Sequence, residues 1–232
     1  MFIDKLLKKI IELKNPSVLG LDPDIEKFPE FIKEKFLVEN INADNISASS
    51  ITKAEDSIKN AIEFFNKCII DEVYDIIPAV KFQAAYYEMY GPKGMEALLN
   101  SVEYARSKGM IIIIDAKRND IGSTAKAYSN AYIGRSNIMG LEVPIYDADA
   151  ITVNAYLGSD GINPFIEDCE KYDKGIFVLV KTSNPSSGEF QDIETENSKE
   201  LYVRVGEKVE EWGRKLIGEY GYSSIGAVVG AT

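Results

Sequence analysis

The chain has 232 residues, of which 45% are hydrophobic and 27% charged, a composition typical of a globular protein with a sizeable core. Its formal net charge of −11, from 26 basic and 37 acidic residues, argues against nucleic-acid binding, because phosphate backbones require a basic face. It contains no histidine, which excludes histidine general bases, Ser-His and Cys-His nucleophiles and histidine metal sites.

The N-terminal segment MFIDKLLKKIIELKN has apolar residues at helical spacing with lysines between them. This pattern predicts an amphipathic helix that lies on the fold, not a targeting segment. No apolar run approaches the roughly 20 residues that a membrane span requires, so no membrane contact is expected. The two cysteines, Cys68 and Cys169, lack metal-type spacing, and reduced thiols in a cytoplasmic protein are the simplest interpretation.

Short apolar runs alternate with helical patterns along the chain. Continuous Val, Ile and Leu runs indicate strands buried on both faces, as in parallel sheets. Strands are predicted at 17–22, 79–83, 110–117, 150–154, 175–182 and 225–232. Helices are predicted near 53–75, 93–108, 121–138, 161–171 and 199–219, and the polar segment 24–52 is predicted to be a loop with a short helix. Such alternation is typical of an α/β barrel or a doubly wound sheet.

Polar side chains occur where most of these strands end. The carboxyl ends of the strands form the active-site floor of a (β/α)8 TIM barrel, whereas a doubly wound sheet concentrates its chemistry at one switch point. The spread of the polar residues over the strands therefore favours the barrel. They are Asp22, Lys81, Asp115, Lys117, Asn154, Thr182 and Ser183.

The number of predicted strands is six, whereas a closed barrel has eight. We found no linker and no internal repeat, so a single TIM-barrel domain over 1–232 is expected. The same count predicts that the domain is incomplete at its C-terminus, or that a second polypeptide completes it.

The stretch IIIIDAKRNDIGSTAKAY carries the densest cluster of charges. Asp115 and Lys117 are two apart on a strand, so their side chains are expected on the same face. Asp120 follows three residues later, and Lys81 ends the preceding predicted strand. Together they would form an alternating array of charges, which is compatible with catalysis but also with a purely structural ion-pair network.

D-x-K-R-x-D-I-G-x-T, with Lys81 on the preceding strand, closely resembles the orotidine 5′-monophosphate decarboxylase family. The resemblance extends through blocks in the family's order over essentially the whole chain, and it is strongest to the longer bacterial branch. The blocks are GLDPD (20–24), VKFQAAYYEMYGPKG (80–94), DAKRNDIGSTAKAY (115–128), ITVNAYLGSDGINPF (151–165), FVLVKTSNPSSGEFQ (177–191) and GAVVGAT (226–232).

The resemblance implies decarboxylation of orotidine 5′-monophosphate to uridine 5′-monophosphate in pyrimidine biosynthesis, without a cofactor or metal. Lys117 would protonate C6 of the pyrimidine as carbon dioxide leaves, and Asp115 would lie against the substrate carboxylate. Lys81 and Asp120 would hold the charged array in register and contact the ribose hydroxyls. A lysine suits this role because it remains charged beside carboxylates and can stabilise a vinyl carbanion.

The resemblance also implies a homodimer with shared active sites, in which Asp120 and Thr124 serve the neighbouring subunit's site. Asp22 would bind the ribose, Ser183 would meet the pyrimidine edge, and Asn154 would line the pocket.

The family's glycine-rich phosphate loop and the arginine that follows it would lie beyond residue 232. Low activity of the 232-residue chain alone is therefore expected. Two alternatives remain: a related metal-dependent phosphosugar decarboxylase or synthase, and an inactive fragment that a partner chain completes.

Overall fold

A computed structural model of the protein describes residues 1–37, 47–195 and 198–230. These residues form two compact units. The smaller unit contains Ile10–Ile112, and the larger one contains Met1–Lys9 together with the chain from Ile113 onward. Helix α1 (Phe2–Leu13) and strand β3 (Ile111–Arg118) each run from one unit into the other.

In the smaller unit, two parallel strands pack with helices. Gly20 lies opposite Lys81 in the pairing of β1 and β2. The long helix α3 begins with a capping box between Ser47 and Ser50, and its core face carries Ile62 and Ile70 one turn either side of Asn66. The elements are β1 (Val18–Leu21), a 3₁₀ turn (Ile25–Lys27), α2 (Glu30–Phe36), α3 (Ala48–Val73), β2 (Ala79–Gln83), α4 (Ala85–Glu88) and α5 (Gly91–Ser107).

In the larger unit, four parallel strands lie in the order β3, β6, β7, β8. The four isoleucines 111–114 of β3 are all buried, as the continuous apolar run predicted. The other elements are α6 (Gly122–Tyr132), β4 (Ser136–Ile138), β5 (Leu141–Val143), β6 (Ala150–Asn154), α7 (Ser159–Tyr172), β7 (Gly175–Lys181), 3₁₀ turns at Pro185–Glu189 and Arg214–Leu216, α8 (Leu201–Gly213) and β8 (Ile225–Val229).

All six predicted strands are present, although residues 231–232 of the predicted strand 225–232 lie outside the described residues. The amphipathic N-terminal helix is confirmed, with Phe2 and Leu6 buried. The predicted helix 121–138 is wrong beyond Tyr132, because an antiparallel hairpin of β4 and β5 follows. The two loop residues of this hairpin, Met139 and Gly140, both have positive φ, as a tight type I′ turn requires. The Asn137 side chain accepts a hydrogen bond from the Gly140 N–H (2.9 Å), which closes the turn.

Two other helix boundaries differ markedly from the prediction. Helix α3 begins at Ala48, inside the segment predicted to be a loop, because Ser47 caps it, and α8 ends at Gly213 where 219 was predicted. The predicted short helix within 24–52 is α2, whereas residues 38–46 of that segment lie outside the described residues. Within the described ranges, no helix is long and apolar enough to cross a membrane.

Candidate active site

Asp115, Lys117 and Thr152 form the centre of the candidate site in the larger unit. The Lys117 ammonium donates to Asp115 Oδ1 at 2.6 Å, and the Thr152 hydroxyl donates to the same oxygen at 2.8 Å. Asp115 is 7% exposed, whereas the Lys117 side chain is 45% exposed. A carboxylate that is largely removed from water thus holds a cation that a ligand can reach.

The backbone of Lys117 is unusual for a residue at the end of a strand. Its φ is 48°, in the left-handed region that non-glycine residues rarely adopt. In the pairing of β3 with β6, Ile114 lies opposite Ile151 and Arg118 opposite Val153, so residues 115–117 face Thr152 alone. This bulge, together with the strained residue, costs roughly 1–3 kcal/mol and is typical of functional sites.

The prediction that Asp115 and Lys117 point to the same side is confirmed by their contact, but the reason is different. In a regular strand, two residues at this spacing lie on the same face because the backbone between them is extended. In the structure the strand bulges at this point, and the left-handed Lys117 returns its side chain to the carboxylate.

Asp120 and Thr124 lie after β3, at the beginning of α6. The Asp120 carboxylate accepts a hydrogen bond from the Ile121 N–H (2.8 Å), and Thr124 is exposed in the first turn of the helix. In the part of the chain that the structure describes, Asp120 forms no ion pair with Lys117. The structure therefore brings Asp115 and Lys117 together but does not add Asp120 to them within one chain.

Ser183 lies in the loop that follows β7, and Gln191 holds the start of this loop. Gln191 accepts from the Thr182 N–H (2.9 Å) and donates to the Thr182 hydroxyl (2.7 Å). On the other side, the Gly230 N–H donates to the Lys181 carbonyl at 2.7 Å. The loop that presents Ser183 is thus held from two directions, and it borders a cavity of about 510 Å³ that Ser183, Asn184, Lys181 and Tyr202 help to line.

Asn154 ends β6, as predicted, and it is half-buried. Its side-chain oxygen accepts a hydrogen bond from the Tyr156 N–H (2.9 Å), which stabilises the turn after the strand. This bond orients the Asn154 amide. The role of Asn154 in lining the pocket stays a prediction.

The two remaining predicted residues belong to the smaller unit. Asp22 is exposed directly after β1, as expected for a strand-end residue, whereas Lys81 lies in the middle of β2 and does not end it. Behind Asp22, the Tyr87 hydroxyl donates to the Leu21 carbonyl (3.3 Å) and accepts from Asn66 (2.9 Å). Burial raises the pKa of Tyr87, so its hydroxyl keeps its proton and remains a donor to β1.

Sequence reasoning missed Thr152, the support of Thr182 by Gln191, and the close approach of Gly230. Thr152 is the only polar residue within the run AITV, and a polar residue in an otherwise buried strand is a usable signal. The contacts of Gln191 and Gly230 depend on how a loop folds back, which residue spacing does not reveal.

Comparison with known proteins identifies the family. The model of the family described as "Orotidine 5′-phosphate decarboxylase / HUMPS family" matches residues 50–232. The chain belongs to the orotidine 5′-phosphate decarboxylase / HUMPS family. The resemblance stated from the sequence motifs is thereby confirmed.

Two curated relatives in this family match the whole chain. The orotidine 5′-phosphate decarboxylase of Caldicellulosiruptor saccharolyticus is 46% identical over 231 residues, which are 100% of this chain and 72% of the relative. The enzyme of the same name from Clostridium acetobutylicum is 40% identical over 232 residues, covering 100% of this chain and 71% of the relative. The expectation that this domain is incomplete at its C-terminus stays a prediction.

Solved structures of the family confirm the fold class. A putative orotidine 5′-phosphate decarboxylase from Streptomyces avermitilis matches 100% of this chain and 70% of its own, with 27% identity and a TM-score of 0.74. The enzyme from Plasmodium berghei matches 93% of this chain and 72% of its own, with 26% identity and the same TM-score. The fold is α/β of the TIM-barrel class, as the strand pattern predicted.

Proposed function

We propose that this protein decarboxylates orotidine 5′-phosphate to uridine 5′-phosphate, with Lys117 as the proton donor. The observation that carries the proposal is the 2.6 Å contact between the exposed Lys117 ammonium and the buried Asp115. The names of the curated relatives support the same substrate. The ion-pair arrangement alone would also suit a structural role, and the family membership favours catalysis.

The proposed step moves one proton and one electron pair. The bond between C6 and the carboxylate carbon breaks, carbon dioxide leaves, and the electron pair remains on C6. A proton from Lys117 Nζ then forms the new C6–H bond, and solvent returns a proton to the lysine. A cation oriented before the reaction stabilises the developing carbanion without reorganisation, and this is usually the largest contribution to catalysis.

Asp115 has a separate role in this proposal. Its carboxylate holds Lys117 in place and lies close to where the substrate carboxylate would bind, so that like-charge proximity would be relieved as carbon dioxide leaves. Lys81 and Asp22 are assigned to the same reaction by the family resemblance. Lys81→Ala and Asp22→Ala test those assignments through kcat and KM.

The direct test is loss of orotidine 5′-phosphate absorbance with the wild-type chain, Lys117→Ala and Lys208→Ala. Lys208 forms a surface ion pair with Glu211 (2.7 Å) and serves as the matched control. We expect Lys117→Ala to lose roughly 10²–10⁴-fold of the rate, and Lys208→Ala to keep it. Uridine 5′-phosphate binding by calorimetry is the second measurement. Because low activity of the 232-residue chain is expected, turnover is assayed at high enzyme concentration. Absence of both turnover and nucleotide binding under these conditions contradicts the proposal.

We further propose a homodimer in which Asp120 and Thr124 contribute to the partner's site. Both residues follow β3 at the start of α6, beside Ile121, which is 53% exposed. An exposed apolar residue between two polar ones is compatible with an interface between copies of the chain.

Subunit mixing tests the shared site. Lys117→Ala and Asp120→Ala proteins should each be inactive alone. After subunit exchange, about half of the dimers contain one subunit of each variant, and each such mixed dimer has one intact site of its two. Activity should therefore return to about a quarter of the wild-type value. A mixture that stays inactive after exchange, verified by mass spectrometry, would place Asp120 in its own subunit's site.

We also place the protein in the cytoplasm, where its free thiols Cys68 and Cys169 would stay reduced.

A further inference from the structure

The strained conformation of Lys117 requires a partner that holds it. Its φ of 48° is one that lysine rarely adopts, and the residue lies in the bulge of β3. A conformation of this kind persists only where surrounding contacts determine it. The contacts of the Lys117 backbone should therefore reveal which residue maintains it.

Thr152 on β6 makes that contact. The Lys117 N–H donates to Thr152 Oγ1 at 2.9 Å, and the same hydroxyl donates to Asp115 Oδ1 at 2.8 Å. A hydroxyl has one proton and two lone pairs, so it can serve both residues at once. A valine, which has nearly the same shape, can serve neither.

The location of Thr152 strengthens this reading. It is 5% exposed, and it is the single β6 residue that faces the three bulged residues 115–117. Its neighbours on β6, Ile151 and Val153, are fully buried and apolar. A hydroxyl at this buried position is paired on both sides, as buried polar groups must be.

We propose that Thr152 is a positioning residue for the decarboxylation, one that holds the Lys117 backbone in its left-handed conformation and orients Asp115 against the ammonium. This inference rests on the proposed function only for its kinetic consequences. Thr152 does not touch the reacting atoms, and it acts through the two residues that do.

The proposal predicts a separation of kcat from KM. Thr152→Val should lower kcat by roughly 10–100-fold, since a misplacement of about 1 Å in a catalytic group has effects of this size. KM should change less than threefold, because Thr152 is buried and its hydroxyl is already bonded to the Lys117 N–H and to Asp115. Thr152→Ser keeps the hydroxyl and should keep most of kcat.

Ser129→Ala is the matched control. Ser129 is buried in the same unit and donates to the carboxylate of Asp168 at 2.6 Å, a bond of the same kind that is not connected to Lys117. Both Thr152→Val and Ser129→Ala should lower stability, but only the first should lower kcat. If the two variants lose kcat in proportion to their stability, Thr152 has a structural role only and the proposal is overturned.

A structural measurement separates this proposal from the proposed function. Crystal structures of Thr152→Val and Thr152→Ser should show Lys117 leaving positive φ in the first and retaining it in the second. A Thr152→Val protein with Lys117 unchanged overturns the proposal, whether or not the wild-type chain turns over orotidine 5′-phosphate. If the wild-type chain neither turns over nor binds the nucleotide while Lys117 behaves as expected in the two variant structures, only the proposed function is contradicted.

Discussion

Gly230, at the end of β8, lies directly against Ser183 in the loop after β7: a Cβ atom at residue 230 would be 2.9 Å from the Ser183 nitrogen and 3.1 Å from its Cα. Contacts this short to backbone force the neighbour to move. Ser183, the predicted substrate-binding serine, can therefore occupy this position because residue 230, directly after β8, has no side chain.

Gly230→Ala should displace Ser183 and weaken substrate binding. We expect KM to rise about tenfold, which corresponds to about 1.4 kcal/mol, with a smaller change in kcat. Gly206→Ala is the control, because its Cβ would meet only Val180 at 3.7 Å, an ordinary contact. An unchanged KM in Gly230→Ala would show that Ser183 does not contact the substrate.

Lys117→Arg should retain the ion pair with Asp115 but lose the reaction. A guanidinium is effectively never deprotonated in proteins, so it cannot deliver a proton to C6. We expect kcat to fall by about 10²–10⁴-fold, while uridine 5′-phosphate still binds. Lys208→Arg, at a surface pair, should be neutral. Retention of substantial turnover by Lys117→Arg would mean that charge, not proton transfer, is what Lys117 supplies.

Gly134→Ala should destabilise the protein without altering the chemistry. A Cβ at 134 would lie closer than 3.0 Å to Asp168 Oδ2. Asp168 cannot easily yield, because Ser129 (2.6 Å) and Lys126 (2.7 Å) both bind its carboxylate. We expect a loss of about 1–3 kcal/mol in the free energy of unfolding, measured with urea. The kcat of the folded fraction should remain that of the wild type.

Tyr87→Phe should cost about 1–3 kcal/mol of stability. The buried hydroxyl connects Asn66 with the Leu21 carbonyl, and its removal leaves that carbonyl without this donor. Tyr104→Phe is the comparison, since its hydroxyl bonds to Asp71 (2.7 Å) at the surface and should matter less than half a kcal/mol. If Asp22, the residue after Leu21, binds ribose, KM should also rise in Tyr87→Phe and not in Tyr104→Phe.

The two cysteines should differ sharply in their reaction with a thiol reagent. Cys68 is exposed, whereas Cys169 is buried, and burial raises the pKa of its thiol so that the reactive thiolate is suppressed. We expect one thiol to react in the native protein at mildly alkaline pH and two in denaturant. Cys68→Ser should show no native reaction, and rapid labelling of Cys169 in that variant would reveal local opening of the larger unit.

The sequence by itself determined the strands, the polar ends of most of them, and the family. Runs such as IIIID and AITVN show in the sequence which residues form a buried strand and which polar residue follows the apolar part. They can do so because apolar continuity and strand length are local properties. The motif around Asp115 and Lys117 likewise lies within one short segment, and the family comparison confirmed what it indicated.

The tertiary structure alone decided how those residues are held. The left-handed backbone of Lys117 and its support by Thr152 depend on a bulge between two strands 35 residues apart in the chain. The hairpin after α6 stands where a helix was predicted, because Met139 and Gly140 both adopt positive φ. Helical periodicity in the sequence does not reveal these backbone angles. The approach of Gly230 to Ser183 also arises from pairing between distant segments. Local pattern specifies which residues are buried and which are charged, whereas the distances between them follow from the packing of elements that are far apart in sequence.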